Sequence, residues 1–133
     1  FSIKVTAEGL ANAQQVSLLT AFDASFNKCW YIILRQTTVP ALILRWGADG
    51  VSTSYDYPTS GNLDTNWHRI QIKHDTTNHS YQYKVDGAEI GAESGTGDAY
   101  GGVRYLEFGD AAAAYTYTAY FDDVDIDSAV YID

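Results

Sequence analysis

The sequence predicts an all-β domain, an antiparallel β-sandwich of jelly-roll type, in one unit over residues 1–133. Three observations carry that reading. Apolar residues recur at every second position in short runs, as in Ile70 and Ile72 or Tyr81, Tyr83 and Val85, which sets one strand face on a core and the other in water. Turn chemistry separates the runs, with Asp75-Thr76-Thr77-Asn78 after one and Asp86-Gly87 after the next. Asp-Gly supplies the positive φ that a type I′ hairpin turn needs. Finally, no segment shows the period of an amphipathic helix, and eleven tyrosines, five phenylalanines and three tryptophans favour sheet.

Taken in order, residues 1–5 alternate with their apolar face on the odd positions. A polar stretch leads to a second strand over 16–22, and then a polar loop, Asp23 to Lys28, precedes a nearly continuous apolar run over 29–35. Such a run marks a strand buried on both faces or central in its sheet. Pro40 fits the first residue of the strand over 41–46, where its missing N–H costs little. A turn at 47–50 leads to a strand over 51–57, with Tyr55 and Tyr57 on one face, and a long polar loop follows. Strands over 67–74 and 81–85 form the central hairpin, with a third strand after the Asp86-Gly87 turn. Trp67 falls off the alternation, at a bend or on the opposite face. The glycine-rich stretch 91–102 is the longest irregular segment, and a loop of that length in a compact domain is often functional. Strands over 103–108 and 115–126 and a short closing segment at 130–132 complete nine to eleven strands.

The chain is long enough to bury a core without staples. Lacking methionine and beginning at Phe1 inside a strand, it reads as a processed or excised piece. It shows no signal peptide or transmembrane run. A net charge of −9, with eight basic residues and no basic stripe in the sequence, repels phosphate backbones and argues against nucleic acid. Cys29 is single, which excludes an intrachain disulfide, and between apolar neighbours it reads as a small buried hydrophobe.

Trp67-His68-Arg69-Ile70 and Val85-Asp86-Gly87 resemble the "W-H-x-[IV]" and "V-D-G" landmarks of laminin G-like modules in the concanavalin A-like lectin/glucanase superfamily. The strand ending at Asp23, Trp30-Tyr31-Ile32 and Leu42 to Arg45 follow that family's order of elements. The closing Phe121-Asp122-Asp123-Val124-Asp125-Ile126 is similar to the last strand of bacterial and phage lectin-like sandwiches. The resemblance implies a concanavalin A-like sandwich, binding or adhesion at a cell or virion surface, and often a structural calcium. The family's usual calcium aspartate, before the third strand, is replaced here by Asn27-Lys28.

Catalysis is not expected. Retaining glycoside hydrolysis needs two carboxyl groups roughly 5 Å apart; Glu107 stands alone in its strand, and no aspartate of the row Asp123, Asp125 and Asp127 has a glutamate partner two residues away. His68, His74 and His79 are too dispersed for a zinc site and read as packing or solvated residues. Calcium takes six to eight oxygens; Asp122 and Asp123, with Asp110 alongside, are the candidate ligands. Sugar rings stack on aromatic faces while polar groups read their hydroxyls, which points to Trp46, Tyr55, Tyr57, Asp98 and Tyr100. Trp30 and Trp67 are assigned to the core. Asn78-His79-Ser80 is an N-glycosylation acceptor pattern.

The reading is a non-catalytic module that binds carbohydrate or another surface ligand, extracellular or surface-exposed. The alternative is a structural or decorating subunit of a larger assembly, pairing through an edge strand near Tyr115, Tyr117 and Ala119.

Overall fold

The computed structural model describes residues 1–7, 10, 13–37, 42–48, 53–78, 80–94, 102–109 and 117–125. Among these are ten strands and no helix. In order they are β1 (Ser2–Ala7), β2 (Gln15–Phe22), β3 (Lys28–Gln36), β4 (Leu42–Ala48) and β5 (Ser54–Tyr57), then β6 (His68–Asp75), β7 (Ser80–Val85), β8 (Ala88–Ser94), β9 (Tyr105–Phe108) and β10 (Tyr117–Asp122). They form two antiparallel five-stranded sheets, ordered β10-β1-β6-β7-β8 and β5-β4-β3-β2-β9, packed as a β-sandwich. Of the turn expected over 47–50, Gly47 and Ala48 belong to β4, and of the irregular stretch expected over 91–102, residues 91–94 belong to β8; residues 49–50, 95–101, 110–116 and 126–133 lie outside the described residues, as does His79.

Alternation sets the inner faces. In β7, Tyr81, Tyr83 and Val85 are buried while Gln82 and Lys84 are half-buried on the outer side. The apolar run of β3 is central in its sheet, between β4 and β2, with Trp30, Ile32 and Leu34 in the core and Cys29 buried as a free thiol. In β2 the alternation breaks: a register shift between Ser17 and Leu19 lets Leu18 and Leu19 both turn inward, each fully buried. A bulge of this kind adds one residue to a strand and bends it.

Aromatic residues stitch the two open sides of the sandwich. On one side, Tyr55 of β5 reaches across to β8, its hydroxyl donating to the Ala92 carbonyl at 2.9 Å. A Cβ on Gly91 would run into the Tyr55 ring, so the crossing requires glycine there. On the other side, Phe108 of β9 meets Phe121 of β10 edge to face, ring centroids 4.9 Å apart. Leu18, Phe108, Gly109, Thr118, Ala119 and Phe121 line a cleft of about 430 Å³ there.

Candidate functional site

The aromatic residues expected to face a sugar are mostly structural. Trp46 is fully buried, its ring 6.4 Å from that of Tyr83, and presents no face to a ligand at the surface. Cross-strand register explains this: Trp46 pairs with Tyr55 and Leu44 with Tyr57, so all four share the inner face. Tyr55 and Tyr57 are half-buried with their hydroxyls engaged across the sandwich. Asp98 and Tyr100 lie outside the described residues, and so does Asp110. Trp67, assigned to the core from sequence, is instead 48% exposed.

Asp122 ends β10 and Asp123 follows with a left-handed backbone, φ 50°, its N–H donating to the Asp122 carboxylate at 2.9 Å. Both are exposed. Among the described residues no group of three or more His, Cys, Asp or Glu side chains is placed to hold a metal. In the turn before β3, the one carboxylate is committed to the protein itself. Asp23 accepts from the backbone N–H groups of Ser25 and Asn27 at 2.8 and 2.9 Å, and from the Asn27 side-chain amide at 2.9 Å.

The two landmark segments meet. His68 is buried and its ring nitrogens contact two carboxylates, Nδ1 to Asp86 at 2.8 Å and Nε2 to Asp64 at 3.1 Å. Asp86 also accepts from the Arg69 N–H at 2.8 Å and, more weakly, from the Tyr57 hydroxyl at 3.4 Å. Asp86 and Gly87 both have positive φ, 51° and 81°, the backbone of a type I′ turn. The tight turn therefore aims its own carboxylate back at β6. With a carboxylate at each nitrogen, the His68 ring is a strut between Asp64 and Asp86. Burial, then the Asp86 carboxylate, raises the Tyr57 phenol above its ordinary pKa. The Asn66 N–H, more than His68, holds Asp64 below the usual carboxylate range.

What faces solvent is a different pair. Phe26 is 68% exposed, and its ring lies parallel to that of Tyr105, centroids 4.6 Å apart and planes within 5°. Phe26 sits at φ 61°, a conformation that costs a side-chain-bearing residue about 1–2 kcal/mol. The Asp23 carboxylate and two backbone bonds, Asp23 N–H to the Asn27 carbonyl and Phe26 N–H to the Asp23 carbonyl, hold the turn in that shape. From the other strand, the register of Phe22 with Tyr105 and of Ala21 with Leu106 sends Tyr105 outward while Leu106 packs on the core. Lys28, also exposed, carries its ammonium over the Tyr31 ring, 5.6 Å from the centroid.

Sequence reasoning passed over both residues. A signal existed: Phe26 is a large apolar residue alone in a polar turn, with no strand phase to bury it. Tyr105 required the β2–β9 register, which spacing alone does not give.

Compared with known proteins, the chain matches no family model, no curated protein and no solved structure.

Proposed function

We propose that this protein is a non-catalytic binding module whose Phe26–Tyr105 ring pair stacks on a sugar of a surface carbohydrate. The observation that carries the reading is a strained, solvent-facing phenylalanine held rigidly against a second ring. Burying neither ring, the turn accepts an unfavourable backbone to present an apolar face to water, and strain of this kind clusters at ligand sites. A pre-ordered aromatic face binds a sugar ring with little loss of conformational freedom. The exposed Asn27 and Lys28 beside it supply polar groups for hydroxyls.

The likeness to laminin G-like, concanavalin A-like modules supports the same reading. Its two landmarks are joined here by the His68–Asp86 contact, a physical reason for them to occur together. In this reading the protein works at an extracellular or virion surface. Calcium, carried by Asp122 and Asp123, is an accessory to binding rather than part of the ring platform.

A glycan array probed with the intact chain, in calcium and in chelator, tests the proposal. Binding to a defined glycan class that Phe26→Gly abolishes is the expected result. Silence across neutral and charged glycans in both conditions would overturn it. A thermal midpoint that rises with calcium and falls with chelator would show the metal to be bound.

A further inference from the structure

The outer face of the β10-β1-β6-β7-β8 sheet is unlike the rest of this acidic protein. Four of the chain's eight basic residues meet on it. Ile3, Val5, His68, Ile70, Tyr83 and Val85 point inward, so Lys4 of β1, Arg69 and Lys73 of β6 and Lys84 of β7 point outward. Three exposed acids stand at the opposite flank, while Asp75 and Glu89 lie at the basic end. Asp122 ends β10 beside Ser2, and exposed Asp123 and Asp125 continue the line. On the β8 side Glu89 lies opposite Lys84 and accepts from the Gln82 amide at 2.6 Å.

Between the two flanks lies an exposed apolar band. Tyr120, 50% exposed, pairs with Lys4, and the register of Ile3 with His68 brings Trp67 to the other side of Lys4. The Trp67 and Tyr120 rings meet edge to face across it, centroids 6.5 Å apart.

Register fixes where these groups stand on the sheet. Along the row through Ser2, the order is Asp122 on β10, Ser2 on β1 and Arg69 on β6. One row along, the order is Tyr120, Lys4 and Trp67. Across three strands, each row has an acid or tyrosine on β10 and a base or tryptophan on the β6 side, flanking β1, the second strand of the five. A twofold axis lying in the plane of the face, along β1, turns the molecule over and exchanges the two ends of every row. Asp122 of one copy then lies over Arg69 of the other, and Tyr120 over Trp67. Asp123 and Asp125 fall toward Lys84 and Lys73, which lie beyond Arg69. Strands of the two copies run nearly aligned, the arrangement in which stacked sheets pack about 10 Å apart.

We propose that this face is a self-association surface, on which a second copy of the chain docks about a twofold axis running along β1. The interface is isologous, each patch serving as its own complement. Aromatic residues at its centre and charge pairs at its rim match the anatomy of protein interfaces. The two Lys4 ammonium groups flank the axis among four aromatic rings, where cation–π attraction opposes their mutual repulsion. The partner docks face to face, unlike the edge pairing expected from the sequence. The opposite sheet, with Phe26 and Tyr105, stays free, so the inference goes beyond carbohydrate binding and stands if that reading fails.

An acidic polysaccharide is the competing occupant of a basic, aromatic face. The second copy is favoured because the acids on this same face occupy the mirror positions, where they would repel a polyanion. Sedimentation of the full chain over a concentration series in chelator, which keeps calcium off Asp122 and Asp123, at low and high salt, decides. We expect a monomer–dimer equilibrium that weakens with salt, because its rim pairs are screened. Arg69→Glu and Asp122→Arg should each weaken the dimer at least about tenfold. Combined in one chain they should restore it to within about threefold, since the swapped charges again meet across the axis. Trp67→Ala should weaken it at every salt concentration. Unchanged thermal midpoints establish that the variants are folded. A chain that stays monomeric at low salt overturns the proposal. So does a combined variant no better than either single one, or binding of an acidic polysaccharide by a chain that never dimerises.

Discussion

Two turns of this molecule use one device to opposite ends. At β6–β7–β8, Asp86 sits at φ 51° and gathers the Arg69 N–H and the His68 ring on its carboxylate. At β2–β3, Asp23 gathers the Ser25 and Asn27 N–H groups while Phe26 takes the left-handed backbone, φ 61°. Each is an aspartate collar that closes a tight turn. In the first the strained residue aims its carboxylate at a buried histidine, with a half-buried tyrosine from β5 on the same carboxylate and the exposed Asp64 on the other ring nitrogen. In the second the collar is buried and the strained residue is thrown outward. The difference separates strain spent on architecture from strain spent on display, and only the displayed ring is available to a ligand.

The sharpest way to break the comparison is at the architectural turn. Asp86→Ala removes the acceptor of the Arg69 N–H and of the buried His68 nitrogen. Leaving the buried His68 nitrogen without that acceptor costs about 1–3 kcal/mol, to be read as a lower denaturation midpoint at unchanged slope. A loss below about 0.5 kcal/mol would mean that the junction is ornamental.

At the display turn the expected losses are smaller and differ in kind. Asp23→Ala should cost about 1–2 kcal/mol, as loss of a carboxylate cap does, and should also weaken carbohydrate binding by freeing the Phe26 backbone. Phe26→Gly should leave stability within about 0.5 kcal/mol. Relief of the left-handed strain, about 1–2 kcal/mol, is offset by the lost ring contact with Tyr105, about 0.5–1.5 kcal/mol. Equilibrium denaturation of the two variants side by side checks both.

The smallest effect is in acid. Asp64 is held low by the Asn66 N–H and Asp75 by the Asn78 side-chain amide. Because each folded-state pKa lies below the unfolded one, the unfolded chain binds protons first as pH falls. The stabilisation is therefore full above the ordinary carboxylate range, about 3.9 for aspartate, and is lost as pH drops through the lowered values. Asp75→Asn should flatten the acid limb of the stability profile, measured by denaturation between neutral and acid pH.

Much of the architecture was legible because it rests on local rules. Alternation in 81–85 placed Tyr81, Tyr83 and Val85 inside, the Asp86-Gly87 pair announced its turn, and the apolar run of β3 marked a central strand. The candidate surfaces were not legible because they depend on register between distant strands. Trp46 read as a sugar-contacting residue, yet it shares the inner face with its partner Tyr55 and is buried in the core. Trp67 was assigned to the core, but its phase, opposite to that of His68, brings it beside Lys4 on the outer face. Four basic residues scattered from position 4 to position 84 show no stripe in sequence and become one face only when β1 inserts between β10 and β6.

The central claim is that the Phe26 ring is the ligand-contacting group and carries little of the fold. Isothermal titration of the best array glycan into the native chain and into Phe26→Gly, with thermal midpoints measured on the same samples, tests it most directly. The account predicts matched midpoints and an affinity at least about tenfold lower in the variant, a loss of about 1.4 kcal/mol. Equal affinity in the two proteins would contradict it and move the ligand away from the β2–β3 turn.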